Sequence, residues 1–463
     1  MAGLFGLLDV GRSALLAEQL GTMVTSHNIA NVNTDGYTRR NLVLSPGDPV
    51  EIRGKLIGSG VKEESIRSQR SKLIEQELLK NRADLGKDSA RTSMLPYLES
   101  AIAPQEGGGI EDGLSNFFAA WQDLSAQPQS TAARGQVLTS GKVLASRISN
   151  VFNELADQRR AISKDVESLA GEINDLTAQI ARLNPEVEKA KLSTGDPGDI
   201  RDQRDRLLND LAGKIEIKTF EDDNGVVEVY TAGGRALVTQ NHSAVMTVTP
   251  SASDPYGATI ELAMDNGKKH DITDSLGGGE MAGLMSASTD ISVYMDRLDD
   301  FAFQLTNRVN TIHSAGYGLD GTGGRNFFRA PPDPLNPGGA ASAMSISPDV
   351  DGQTDNVAAA TDPSSLPGDN RNALAMGALN DIETGEFSQI VGDIGLTISD
   401  AESDETFHQG TFDQTKAFRD SISGVSLEEE MVNMIKYQQA FAAAAKVIQT
   451  ADELFDSLLS MKR

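Results

Sequence analysis

The feature that most constrains the fold is an apolar stripe running through residues 148–183. Its members recur at alternating steps of four and three residues: Ile148, Phe152, Leu155, Arg159, Ile162, Val166, Leu169, Ile173, Leu176, Ile180 and Leu183. Only Arg159 breaks the apolar pattern. A seven-residue repeat kept over about five heptads predicts a long helix in coiled-coil-like packing. The dipeptide Asn184-Pro185 predicts its end, because the residue before a proline is disfavoured in helical conformation.

Helical patterns continue on both sides of this stripe. Residues 284–312 repeat the seam with Ser288 as its polar member, so we expect the stripe to pack within its own chain. Weaker helical periodicity covers the chain from about residue 60 to 213 and from about 373 to 422. The sequence therefore predicts a mainly α protein with an elongated helical-bundle body.

One segment has a different period. Between Lys214 and about Gly279, apolar and polar residues alternate, and turn signals such as Asp223-Asn224-Gly225 and Asn266-Gly267 separate the runs. This pattern predicts a small β domain of five or six strands, inserted into the helical body. Residues 330–372 are rich in Pro, Gly, Asp and Ser, which predicts a long loop or a small, weakly structured insertion.

Composition excludes several classes of function. The 463 residues include no cysteine, which rules out disulfides, thiolate catalysis and Cys-ligated zinc. A net charge of −26 disfavours nucleic acid and anionic membranes as partners. Neither a cleavable signal peptide nor an apolar run of membrane-spanning length is visible.

No catalytic, cofactor or metal site emerges from the motifs. The five histidines are scattered and none belongs to an H-E-x-x-H pattern, so we expect each on the surface or in a loop: His27, His242, His270, His313 and His408. The glycine runs lack the Lys-Ser/Thr of a phosphate-binding loop. We therefore predict that the chain is not an enzyme.

Both ends of the sequence predict helices that are poorly covered by the rest of the chain. The first, over residues 3–31, contains Gly3, Gly6, Gly11 and Gly21, each costing about 1 kcal/mol relative to alanine. The last begins with a capping box, Ser426 and Glu429. We expect both ends to be disordered in the free monomer and to order by packing on each other and on neighbouring subunits.

Two motifs at opposite ends carry a family resemblance. Residues 30–39 (A-N-V-N-T-D-G-Y-T-R) resemble the N-terminal motif of the flagellar axial proteins, which comprise rod, hook and hook-associated proteins. Residues 430–441 (E-M-V-N-M-I-K-Y-Q-Q-A-F) and 446–455 (K-V-I-Q-T-A-D-E-L-F) resemble the C-terminal signature of the same family. Their order along the chain is also that of the family.

Three further segments resemble the hook-associated members that join hook to filament. These are residues 199–207 (D-I-R-D-Q-R-D-R-L), residues 121–125 (W-Q-D-L-S) together with 132–134 (A-A-R), and residues 427–430 (L-E-E-E). A rod or hook subunit is the alternative, but the middle of those chains tends to be β-rich, whereas this one has a long helical stripe. A filament-displayed adhesin or enzyme, with the β domain as its active part, is less favoured.

The resemblance implies a layered subunit. Residues 1–45 and 424–463 would form an inner coiled coil of terminal helices, and residues 46–213, 281–329 and 373–423 the helical body. Residues 214–280 would form the outward β domain, and residues 330–372 would stand where relatives often carry a further domain.

The resemblance also implies partners and a route. The expected partners are hook protein, a second hook-associated protein, other copies of the chain, and a cytoplasmic export chaperone on the C-terminal helix. The chain would reach the extracellular flagellum by type III export without a cleaved signal peptide. The residues expected at the assembly interface are Leu4, Leu7, Leu8, Leu15, Asn31, Asn33, Gly36, Tyr37, Leu427, Met431, Met434, Gln438, Phe441, Ala445, Ile448, Phe455 and Leu459.

Overall fold

A computed structural model describes the backbone of residues 2–52, 55–104, 108–194, 197–263 and 267–461. Side chains are described for the same residues except 2–4, 52 and 194. Ten helices lie in the described ranges: α1 (Ala2–Ala30), α2 (Lys72–Ile102), α3 (Ile110–Ala126), α4 (Thr131–Thr194), α5 (Gly198–Lys214), α6 (Glu280–Ala315), α7 (Ala340–Ala343), α8 (Arg371–Gly377), α9 (Asn380–Ser423) and α10 (Leu427–Ser460).

Eleven strands in the same ranges form four small antiparallel sheets. They are β1 (Arg40–Pro46), β2 (Val50–Ile52), β3 (Lys55–Ile57), β4 (Val61–Ser68), β5 (Ile217–Glu221), β6 (Val227–Thr231), β7 (Ala236–Thr239), β8 (His242–Ser243), β9 (Val245–Pro250), β10 (Ala258–Ala263) and β11 (Lys269–Asp271). The prediction of a mainly α fold with a β insertion is confirmed.

The heptad stripe lies on α4, the central helix of the body. Every member of it is buried except Leu176, which is half-buried. Its first half packs on α3 and α6, as the repeat predicts, and its second half supports the β insertion. Arg159, the polar member, is buried too, because its guanidinium pairs with Asp254 and donates to the Ser288 hydroxyl at 3.2 Å.

The predicted stop at Asn184-Pro185 is wrong, because α4 continues to Thr194. Asn184 holds the sheet instead: its Nδ2 donates to the Val227 carbonyl at 2.9 Å and its Oδ1 accepts from the Val227 N–H at 3.1 Å. Beyond the proline, Val187 is fully buried. Packing of this turn against the insertion therefore outweighs the hydrogen bond that a helical proline cannot donate.

The prediction of helix from about residue 60 is also wrong at its start. Residues 40–52 and 55–68 form a hairpin arm, in which β1 pairs with β4 and β2 pairs with β3. The arm lies beside α1, where the Val61 N–H donates to the Ser13 hydroxyl at 3.4 Å. The apolar residues of the arm are largely exposed. Its sequence therefore lacks the alternation of buried apolar and exposed polar residues that predicts a strand.

The described part of the β insertion has seven strands where five or six were predicted. β5–β8 form a four-stranded sheet and β9–β11 a three-stranded one. The segment leaves and re-enters the body at one point, where the Glu216 N–H donates to the Gly278 carbonyl at 2.9 Å. Gly279 closes this neck with φ 86°, and a Cβ there would lie 2.5 Å from Ile215.

His313 contradicts the expectation that the histidines lie on the surface or in loops, because it is fully buried in the body, in α6. It stands among Trp121 and Phe327, with ring centroids at 6.1 and 5.4 Å. The Arg325 carbonyl lies 2.8 Å from Nδ1, and the Ala358 N–H donates to Nε2 at 3.0 Å. This pair of bonds requires the neutral ring with its proton on Nδ1.

The Pro/Gly-rich segment 330–372 lies against this aromatic cluster. Val350, Val357 and Ala359 are fully buried there. The Asp299 carboxylate accepts from the N–H groups of Gly339 and Ala341, both at 2.8 Å, which anchors the start of α7. The segment is thus an irregular loop that packs on the body through its own apolar side chains.

Candidate assembly interface

The two terminal helices form an antiparallel unit, called here the terminal pair (α1 and α10). Phe5 stacks edge-on against Phe455 with centroids 5.3 Å apart. Further along, a Cβ on Gly11 would lie 2.7 Å from Ile448, and one on Gly21 would lie 2.5 Å from the Tyr437 ring. Two of the glycines that weaken α1 as an isolated helix, Gly11 and Gly21, therefore allow α10 to approach it closely.

The face of α10 that meets α1 is not the one with the largest apolar side chains. Its buried or half-buried members include Glu430, Tyr437, Ala444 and Ala451, spaced seven residues apart. Hydropathy misses this series, because two members are alanines and one is a glutamate. The seven-residue spacing opposite Gly11 and Gly21 is the signal that could have found it.

The predicted interface residues of α10 divide between two faces. Met434, Ile448 and Phe455 are half-buried, and the remaining six are exposed: Leu427, Met431, Gln438, Phe441, Ala445 and Leu459. In α1, Leu7, Leu8 and Leu15 are half-buried, whereas the side chain of Leu4 falls outside the described residues. The exposed group remains open to a partner beyond the chain.

The N-terminal motif is the corner after α1. Gly36 has φ 74°, a conformation that glycine adopts readily, and a Cβ there would lie 2.8 Å from the Arg206 side chain. Asn31 is half-buried and its Nδ2 donates to the His27 carbonyl at 3.0 Å, whereas Asn33 is exposed. Tyr37 is buried. The motif thus folds the chain back against α5.

Asn28 is the central residue of this corner, although it was not among the predicted interface residues. It is 1% exposed and makes all four hydrogen bonds of which its amide is capable. Its Nδ2 donates to the Arg40 carbonyl at 2.9 Å and to Glu430 Oε2 at 3.0 Å. Its Oδ1 accepts from the Arg40 N–H at 3.1 Å and from the Tyr37 hydroxyl at 2.8 Å.

Two arginines extend this contact in opposite directions. Arg39 pairs with Glu429 and Glu430 of α10, both at 2.7 Å. Arg40 pairs with Asp199 at 2.6 Å and Asp202 at 3.4 Å, at the start of α5. The polar joint, defined as Asn28, Tyr37, Arg39, Arg40, Asp199, Asp202 and Glu430, therefore ties the terminal pair to the body.

The start of α10 shows why the predicted capping box is only half formed. The Ser426 hydroxyl accepts from the Glu429 N–H at 3.5 Å, as expected. The Glu429 carboxylate, however, turns to Arg39 at 2.7 Å. The Glu429 side chain therefore makes an ion pair with the corner instead of the second hydrogen bond of the capping box.

The pKa values of several ionisable groups in the polar joint are shifted in different directions. Burial raises the pKa of the Tyr37 phenol to about 12, so it stays a hydrogen-bond donor at neutral pH. Burial also raises the pKa of the Asp202 carboxyl, whereas the hydrogen bond from Arg40 lowers that of Asp199. The carboxylates of the joint are paired with arginines of the same chain, whereas the Nε atoms of Arg39 and Arg40 have no hydrogen-bond partner among the described residues.

Comparison with known families decides which class of chain carries this arrangement. The family model described as "Flagellar hook-associated protein FlgK helical domain" matches residues 95–328, half of the chain. The chain belongs to the FlgK family of flagellar hook-associated proteins. Two further models match the ends: "Flagella basal body rod protein" over residues 8–38 and "Flagellar basal body rod FlgEFG protein C-terminal" over residues 419–461.

Full-length relatives agree with membership of the FlgK family. Flagellar hook-associated protein 1 of Bacillus subtilis (strain 168) is 23% identical over 510 residues, covering 99% of each chain. Its Salmonella typhimurium counterpart is 23% identical over 551 residues, covering 98% of this chain and all of that one. The Escherichia coli (strain K12) protein is 22% identical over 548 residues with the same coverage.

A solved structure shares the fold of part of the chain. The flagellar hook junction protein FlgK from Burkholderia pseudomallei superposes with a TM-score of 0.51 at 22% identity. The match covers 55% of this chain and 46% of that one.

FlgK family membership confirms the prediction of a structural subunit of the flagellum at the hook–filament junction. It places the chain in the flagellum and implies assembly with hook and other flagellar proteins. The terminal models belong to rod proteins as well, so the helical-domain match is what distinguishes this chain from a rod subunit.

No helix in the described ranges combines the length and apolar character that crossing a membrane requires. Within the same ranges, no group of three or more His, Cys, Asp or Glu side chains is arranged to hold a metal ion.

Proposed function

We propose that the terminal pair is the element through which this FlgK-family chain joins hook to filament. The observation that carries the proposal is the large apolar side chains that α10 leaves exposed. Met431, Val432 and Ile435 are 58%, 51% and 52% exposed. Burying such side chains stabilises an assembly by about 25 cal/mol per Å² of apolar surface.

The distribution of charge also favours α10 as the contact surface. Between Met431 and Ala451 the charged residues are Lys436 and Lys446, in a chain whose net charge is −26. Elsewhere, the acidic surface disfavours contacts between copies, with repulsion screened over about 8 Å at physiological salt. α10 is therefore the long surface on which close contact with another acidic subunit has the least electrostatic cost.

The proposed subunit has layers that follow its domains. The terminal regions, residues 1–45 and 424–463, would line the inside of the junction. The helical body, residues 46–213, 281–329 and 373–423, would surround them. The β domain, residues 214–280, would face outward, and residues 330–372 would cover the end of the body.

The proposed partners follow from the two ends of such a junction. Hook protein would lie below, a second hook-associated protein above, and further copies of the chain alongside. Before assembly, the apolar face of α10 would be covered by a cytoplasmic export chaperone. Export would follow the type III route without a cleaved signal peptide, to an extracellular position. The role in all of this is structural and not catalytic.

The test is deletion of the gene, with electron microscopy of the cells and detection of flagellin in the medium. We expect complete hooks without filaments, together with flagellin lost to the medium. Absent hooks would indicate a rod or hook subunit, and normal flagella would refute a junction role.

Complementation then tests the terminal pair. A double variant, Met431→Glu with Ile435→Glu, places two charges on the exposed face of α10, and we expect it to leave hooks bare. Val245→Glu, a matched substitution at an apolar residue 52% exposed on the β insertion, should restore filaments. Filaments in both strains would refute the role of α10.

A further inference from the structure

The seam of the terminal pair contains little that fixes how far one helix is displaced along the other. Its contacts are apolar or small: Phe5 with Phe455, Gly11 with Ile448, and Gly21 with Tyr437. On α10 the inward positions repeat every seven residues. A repeat of this kind can be shifted by one heptad and still bury apolar side chains.

One contact in the seam does not repeat. Asn28 and Glu430 are each 1% exposed and bonded to each other at 3.0 Å. A shift of one heptad would bring Tyr437 opposite Asn28 in place of the carboxylate. It would also remove Glu430 from Arg39, leaving buried polar groups unpaired, which costs far more than an exchange of apolar neighbours.

Asn28 is fixed from the other side as well. Through both atoms of its amide it bonds the N–H and the carbonyl of Arg40, as a neighbouring strand would. Arg40 is in turn held by Asp199 of α5 at 2.6 Å. The position of α1 relative to the body is thus fixed by contacts that do not involve α10, and Glu430 bonds to the residue that they hold in place.

We propose that Asn28 and Glu430 are the positioning residues that set the register of α10 on α1 and, through Arg40, on the helical body. A polar pair buried in an otherwise apolar helical seam specifies alignment, because every other alignment leaves it unsatisfied. The inference rests on the proposed role of the terminal pair in assembly: it determines which side chains of α10 face outward.

Disulfide trapping tests the register directly, because the chain has no cysteine of its own. In the full-length purified chain, Gly21→Cys is combined with Tyr437→Cys, which reports the observed register. In a second chain it is combined with Ala444→Cys, which reports a shift of one heptad, and with Tyr437→Ala, which removes the ring that a side chain at position 21 would press on. We expect rapid closure of the first pair and at least about tenfold slower closure of the second, as one buried charged hydrogen bond predicts.

The decisive background is Asn28→Leu with Glu430→Leu, which replaces the polar pair by apolar side chains. There we expect the shifted pair to close at least about tenfold faster than in the native background. Asn31→Leu is the matched control, since among the described residues the Asn31 side chain bonds only to the His27 carbonyl and the Thr34 hydroxyl of its own turn. It should leave both rates unchanged.

Emission from Trp121, which is buried in the body, reports whether each variant is folded. If the leucine variant fails this check, Asn28→Asp keeps the size and opposes two carboxylates, and it should shift the register equally. Closure of the observed register alone in a folded variant would refute the proposal and assign the register to the glycine contacts. These rates are measured without flagella, so they stand apart from the deletion phenotype.

Discussion

At the scale of single residues, polar side chains at apolar positions explain much of the structure. Arg159 interrupts the heptad stripe, His313 stands in an aromatic cluster, and Asn28 lies in the terminal seam. Each is buried and each has its partners. The sequence pattern shows such residues as interruptions, because their partners come from distant parts of the chain.

His313 makes the stability of the body depend on pH. Burial lowers its folded-state pKa to about 4, below the unfolded value of about 6.5. The unfolded chain therefore binds the extra proton between these values, so stability is full above about pH 6.5 and falls towards pH 4. We expect a loss on the order of 3 kcal/mol across this window in denaturant titrations followed by circular dichroism.

Two variants check the source of that pH dependence. His313→Gln should be less stable at pH 7 and should lose most of the slope between pH 6.5 and pH 4. His242→Gln, at an exposed histidine of β8, should retain it. An equal slope in the chain without His313 would assign the effect to carboxyl groups.

At the scale of elements, burial decides whether a pattern can be read in advance. The stripe of α4 was predicted because its large apolar residues are the ones buried. In the terminal pair the close contacts involve Gly11, Gly21 and Ala444, so the large residues of α10 point elsewhere. The hairpin arm was missed for a related reason, since its strands bury little of either face.

Glycines in two helices should respond in opposite ways to alanine. Gly410 lies in α9 with nothing within 4 Å of an added Cβ, so Gly410→Ala should raise the free energy of unfolding by about 1 kcal/mol. Gly21→Ala would press on the Tyr437 ring and should lower it. Denaturant midpoints provide the comparison, and stabilisation by both substitutions would contradict the close packing of α1 on α10.

Pro185 provides a test of the continuous α4. Because proline cannot donate the helical hydrogen bond, Pro185→Ala should stabilise the chain by about 1–3 kcal/mol if the helix passes through this position. Thermal unfolding measures the change. A loss of stability would mean that the proline terminates the helix, as its sequence context suggests.

At the scale of the whole molecule, charge and apolar surface oppose each other. The net charge of −26 separates copies in dilute salt, whereas the exposed residues of α10 favour association. Adding salt screens the repulsion between charges and leaves the association of apolar surface in place.

We therefore expect sedimentation velocity to show self-association rising with salt, as the screening length falls from about 30 Å at 0.01 M to about 3 Å at 1 M. The double variant Met431→Glu with Ile435→Glu should stay monomeric throughout, and Val245→Glu should behave as the native chain. Association that is unaffected by charges on α10 would place the contact on another surface.

The neck of the β insertion has a consequence for how such a chain can vary. The two ends of the segment meet where the Glu216 N–H donates to the Gly278 carbonyl, so both are held at one fixed point on the body. Beyond the neck, the inner side of the insertion contacts several helices of the body: Asn184 of α4 donates to the Val227 carbonyl, and Arg204 of α5 donates to the Gly225 carbonyl. The outer edge of the insertion is therefore the place where strands or whole modules can be exchanged while α4 and the terminal pair keep their geometry.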